Sequence, residues 1–120
     1  MKTIKYGLSV ISLALGMAAS GFSLTVSASE PTLSKADFDK AQLHYFQRCA
    51  GCHGVLRKGA TGKNLEPEST LKKGQKRLEK IIALGTEDGM NNFDDIFSKQ
   101  EIANIATFIQ MTPPVPPEMS

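Results

Sequence analysis

Apolar positions recur at helical spacing in three stretches of the chain. Phe38, Ala41, Tyr45 and Cys49 share one face, with Phe46 beside them, which predicts a first helix opening at Ser34 and stopping at Gly51. Ser34 followed three residues on by Asp37 is the arrangement of a capping box. A second helix is predicted over Gln75 to Leu84, with Leu78, Ile81 and Ile82 on one side and Gly85 as its stop. A third opens at Ser98, where Glu101 completes another capping box. Ile102, Ile105, Ala106 and Ile109 form its buried stripe, and Pro113-Pro114 ends it. No run alternates with period two for long enough to form a strand. Gly54 to Gly74 reads as a Gly- and Lys-rich loop and Thr86 to Phe97 as a short acidic segment. The fold is therefore expected to be all-α.

The N-terminal stretch follows none of these patterns. Lys2 and Lys5 precede an uncharged run from Gly7 to Ala28, centred on Leu8, Val10, Ile11, Leu13, Ala14 and Leu15. Val26-Ser27-Ala28 offers small residues before Ser29, as a signal-peptidase site does. An uncleaved run of this length could instead span a bilayer, although six hydroxyl residues make it a poor anchor. The expected organisation is an export signal at 1–28, a folded domain at 29–112 and a Pro-rich extended tail at 113–120. The expected location is the periplasm, with membrane attachment only if the signal is retained.

Size and charge narrow the function. The chain has 120 residues and a formal charge of +2, too few for several domains and too little charge to suggest nucleic acid as a partner. Without the signal it would have 92 residues and no net charge. A domain that small buries only about 60–65% of its unfolded surface, so a large apolar cofactor would help complete its core. Its charge is unevenly placed, +5 over residues 57–80 and −4 over residues 87–101. Such a dipole can orient docking with a partner, or can simply be two solvated segments.

Both cysteines and one of the two histidines fall in Cys49-Ala50-Gly51-Cys52-His53. This C-x-x-C-H run is the attachment signature of c-type haem. Two thiols at this spacing can add across the vinyl groups of one porphyrin, and the adjacent His then supplies a nitrogen to the iron. A redox disulfide would be expected at a helix start, where the dipole stabilises a thiolate, and not at a helix end. A zinc site would need Cys49, Cys52, His53 and His44 in a crowded arrangement.

A sixth iron ligand is expected from Met90, in the loop Gly85 to Phe93. Met111 reads as packing, Met119 is next to the terminus, and His44 lies on the helix leading into the motif. Pro67 stands at a suitable distance along the loop for its fixed carbonyl to orient the His53 ring, and Leu65 reads as a haem-packing residue.

Helix, C-x-x-C-H, Gly-Met loop and final amphipathic helix together resemble class I cytochromes c over the whole domain. The run Tyr45 to Leu65, with Gly85-Thr86-Glu87 and Gly89-Met90-Asn91-Asn92-Phe93-Asp94-Asp95, is similar to the haem-c domain of cytochrome cd1 nitrite reductase. That resemblance implies a class I cytochrome c fold around one covalent haem c. The tail resembles the linker that precedes a haem d1 propeller in that enzyme, and the 120 residues hold no propeller. The expectation is a non-enzymatic monohaem cytochrome of the c55X type, supplying electrons to a redox protein such as cytochrome cd1 nitrite reductase. The alternatives are an accessory role with a haem d1 maturation enzyme, or a haem-based ligand sensor. Asn91 stands where many class I cytochromes have Pro after the Met ligand.

Overall fold

A computed structural model describes residues 29–113, together with Gly16 and Gly21. The rest of the expected signal segment, and tail residues 114–120 with Met119, lie outside the described residues. Among the described residues five helices follow in order: α1 (Lys35–Arg48), α2 (Ala50–His53), α3 (Pro67–Lys73), α4 (Gln75–Leu84) and α5 (Lys99–Phe108). No strand occurs among the described residues.

The helix ends follow from their caps. Ser98 and Glu101 form the full capping box at α5, with Ser98 Oγ accepting from the Glu101 amide and the Glu101 carboxylate accepting from the Ser98 amide. At α1 the box is only half made. Ser34 Oγ accepts from the Asp37 amide, but the Asp37 carboxylate takes the Ser34 hydroxyl and, from α5, the side-chain amide of Asn104. The shorter acid thus joins α1 to α5 instead of returning to its own helix start.

Three expected boundaries are corrected. The first helical path does not stop at Gly51. It bends at Cys49 and runs on as α2 to His53, turning at Gly54 with φ +85°. The expected loop Gly54 to Gly74 contains α3, which starts with Pro67 at its first turn, the position where a missing amide hydrogen costs nothing. Finally, α5 ends at Phe108, well before Pro113. There the carbonyls of Phe108 and Ile109 are taken by the side chains of Arg57 and Thr70, each at 2.7–2.8 Å.

The core sits on α5, which packs against α1 on one side and α4 on the other. Ala41 and Tyr45 from α1, Leu78 and Ile82 from α4, and Ile102, Ile105, Ala106 and Phe108 from α5 are buried together, with Phe97 and Ile109. Each large apolar side chain buried this way contributes about 1.5–3 kcal/mol. Phe108 is the hub: the Phe38 ring meets it edge-on at 5.3 Å between centroids and the Tyr45 ring lies at 5.7 Å. A polar seam runs beside this core. Gln75 donates to the Ala103 carbonyl and accepts from Thr107 and Gln110, fixing the start of α4 against α5.

Candidate haem-binding site

The Cys49–His53 segment is held as one turn by its own amides, with His53 N donating to the Cys49 carbonyl and Gly54 N to Ala50. Its thiols are both free, Cys49 half-buried and Cys52 exposed. Burial, with Cys52 beside it, pushes the Cys49 thiol up to about 11. A redox dithiol needs the opposite shift, toward thiolate. Among the described residues, no three His, Cys, Asp or Glu side chains group to hold a metal ion.

The loop after the motif folds back onto it. Gly59 N donates to the His53 carbonyl and Gly62 N to the Cys52 carbonyl, so residues 53–62 and the motif form one body. This brings the Lys63 carbonyl to 2.7 Å from His53 Nδ1. A carbonyl only accepts, so Nδ1 carries the proton, and in the neutral ring Nε2 is then the nitrogen with a lone pair for a metal. The carbonyl facing the ring is that of Lys63, not Pro67. Pro67 begins α3, and its carbonyl lies within 3.4 Å of the Thr70 hydroxyl. Gly62 explains how Lys63 gets so close: a Cβ there would lie 2.9 Å from both Cε1 and Nδ1 of His53. Leu65 is half-buried against the core, and its amide donates to the Arg57 carbonyl.

Met90 lies in a shaped loop. Gly85, at φ +72°, turns the chain so tightly that a Cβ there would run into the Met90 carbonyl. Thr86 closes the loop: its amide donates to the Met90 carbonyl at 3.0 Å and its hydroxyl accepts from the Met90 amide at 3.3 Å. Beyond it, the Phe93 amide is shared between the Ile82 and Ala83 carbonyls of α4. Met90 itself is half-buried and packs against the core. An ion pair of 3.8 Å between Lys63 and Asp88 joins the loop facing His53 to the loop carrying Met90. Both side chains are largely exposed, so the pair marks proximity more than it adds stability.

The other candidate ligands are placed elsewhere. The His44 ring packs on Phe97, 4.5 Å between centroids, with Nε2 turned toward Glu101 of α5. Met111 follows the end of α5 and is half-buried. Sequence reasoning missed the roles of Lys63, Gly62 and Thr86. Gly62 carried the only readable signal, as a glycine beside the motif loop. Sequence reasoning also misplaced Arg57, which it counted in the basic surface segment and which the structure buries to 1% exposure. The remaining cations of that segment, Lys58, Lys63, Lys72, Lys73, Lys76, Arg77 and Lys80, are exposed.

The residues present fit a covalent haem: paired thiols on one turn, an imidazole with its outer nitrogen fixed, and a glycine cradle beside the ring. Comparison with known proteins agrees. The profile of the family described as cytochrome c oxidase, cbb3-type, subunit III, matches residues 36–109. The chain is 48% identical to a nitrite reductase of Stutzerimonas stutzeri over 95% of its own length, which is 21% of that enzyme. It is 36% identical to a cytochrome c6-like protein of Nostoc sp. over 51% of its length and 58% of that protein. The chain therefore spans about a fifth to three-fifths of these relatives. Among solved structures, the dihydro-heme d1 dehydrogenase NirN in complex with DHE aligns with a TM-score of 0.59 at 26% identity, covering 68% of this chain and 18% of that one. The c-type cytochrome NirC aligns with a TM-score of 0.58 at 19% identity over 65% of this chain and 93% of its own, a likeness of fold. An all-α domain built around a C-x-x-C-H turn, matched by this profile and these relatives, belongs to the class I c-type cytochromes.

Proposed function

We propose that the protein is a periplasmic electron carrier with one haem c, working in the nitrite reductase system. The observation that carries this reading is the His53–Lys63 contact, which leaves one imidazole nitrogen bare at the end of a turn bearing two free thiols. In this reading the haem supplies one-electron chemistry at its iron. Cys49 and Cys52 anchor the porphyrin through thioethers. His53 and Met90 would ligate the iron, which would leave no site open for a substrate, and Leu65 would pack against the porphyrin. No acid, base or nucleophile would be required, because one-electron chemistry at a bound haem would leave His53 and Met90 in place. Residues 1–28 act as a cleaved export signal. No helix among the described residues is long and apolar enough to cross a membrane.

The exposed cations of the loop, α3 and α4 form the docking surface for an acidic face on the partner. The test is electron transfer to a cytochrome cd1 nitrite reductase, followed against ionic strength. The rate falls as salt screens the surface, and a rate independent of salt contradicts this docking role. A second reading, service to a haem d1 maturation enzyme, draws on the 26% identity to the NirN structure. Electron delivery to a haem d1 maturation enzyme, with none to the reductase, would favour it.

A further inference from the structure

Arg57 takes no part in the proposed haem chemistry, yet its environment is costly. It is the only non-glycine among the described residues with a left-handed backbone, at φ +61°. Its side chain is 1% exposed, and burial holds the guanidinium below its ordinary range. No carboxylate pairs with it among the described residues. Instead Nη1 donates to the Phe108 carbonyl at 2.7 Å, and the guanidinium carbon lies 4.9 Å from the centre of the Phe108 ring. Nη2 has no hydrogen-bond partner among the described residues. A strained backbone and a buried cation with an unmet donor oppose folding, so this residue is not there for stability alone.

Its connections show what it joins. Arg57 N donates to the Gly54 carbonyl, and its own carbonyl accepts from Leu65 N, so it belongs to the body that carries His53 and Lys63. The tip of its side chain belongs to the end of α5. That helix packs on α4, and α4 holds the Met90 loop through the Phe93 amide. Tyr45 is a second tie, its hydroxyl donating to the Gly54 carbonyl at 2.7 Å, but it comes from α1, which is already continuous with the motif. Beside the exposed Lys63–Asp88 pair, Arg57 is therefore the buried side-chain tie between the His53 body and the helices that carry Met90.

We propose that Arg57 is a positioning residue that fixes the His53 body relative to the Met90 loop and so keeps Met90 on the iron. This rests on the ligand reading proposed above. Without the tie, the two bodies separate more readily and the Met90 sulfur is displaced more easily by an outside ligand. In that exchange the iron–sulfur bond breaks and an iron–nitrogen bond forms, with no change in oxidation state.

The test is imidazole binding to the oxidised haem-loaded protein, followed by loss of the Met–iron charge-transfer band. Arg57→Gly suits the backbone φ and removes the whole side chain. Arg57→Lys keeps the charge but loses the fixed fork. Thr70→Val is the control, because Thr70 ties α3, which carries no ligand, to the neighbouring Ile109 carbonyl. Both Arg57 variants are expected to bind imidazole at least tenfold more tightly than wild type, and Thr70→Val within about twofold of it. Imidazole affinities in the Arg57 variants no greater than in Thr70→Val would overturn the proposal. A wild-type protein with no charge-transfer band to lose would overturn the Met90 assignment, and the tie's purpose with it.

Discussion

His53 Nδ1 and the Lys63 carbonyl lie 2.7 Å apart, and the absence of a side chain on Gly62 makes that approach possible. A Cβ at Gly62 has to displace either the imidazole or the carbonyl. Gly62→Ala should destabilise the haem-loaded protein by about 1–3 kcal/mol through overpacking. It should also release the Nδ1 proton to faster exchange with solvent. Unfolding by urea and the NMR signal of that proton check both effects. Wild-type exchange in the variant contradicts this view of the contact.

Gly85 makes the corresponding constraint on the other loop, because a Cβ there meets the Met90 carbonyl. With φ +72° and ψ −166° it also lies in a backbone region open essentially to glycine, which costs an L side chain about 1–3 kcal/mol. Gly85→Ala is expected to weaken or abolish the Met–iron band of the oxidised protein while thioether attachment at Cys49 and Cys52 survives. A full-strength band in the variant means that the loop can reshape without moving Met90.

Glu101 makes stability depend on acid. The Lys40 ammonium, first, and then the Ser98 amide hold its carboxyl down at about 2, against an ordinary 4.5. A group with a depressed folded-state pKa adds stability above the unfolded value and loses it as pH falls through the folded one. This contribution is therefore present above pH 4.5 and fades between 4.5 and about 2. Glu101→Gln should remove that part of the acid sensitivity. Urea midpoints of both proteins across this range check it, and parallel curves contradict it.

Phe108 tests the packing. It is fully buried, meets the rings of Phe38 and Tyr45, and lies under Arg57. Phe108→Ala should cost about 3–5 kcal/mol in urea unfolding. A loss below about 1 kcal/mol shows that the α1–α5 crossing is not the centre of the core.

The parts legible in the sequence are those governed by local rules. Periodicity placed α4 at its observed limits, the Ser98–Glu101 pair marked the start of α5, and a motif of five residues defined the candidate site. The parts that were not legible depend on chain reversal. Helix α3 buries only Thr70, so it has no apolar stripe to betray it, and Pro67 before Gly74 was the usable sign. The carbonyl facing His53 could not be chosen from distance along the chain, because the Gly59 and Gly62 amides fold the loop back and deliver Lys63 before Pro67 is reached. Arg57 looked like a surface cation because a sequence shows charge without burial. Asp37 looked like a full capping partner because reach, one methylene shorter than Glu, is decided by what lies opposite, here Asn104.

The central claim is that one covalent haem is held between His53 and Met90. Visible spectroscopy of the protein expressed with a cytochrome c maturation system tests it most directly, for wild type beside Met90→Ala. The expected wild-type result is a low-spin c-type spectrum with a Met–iron charge-transfer band in the oxidised state, and in Met90→Ala the band disappears while covalent haem remains. An unchanged low-spin spectrum in Met90→Ala, or a wild type without covalent haem, contradicts the account.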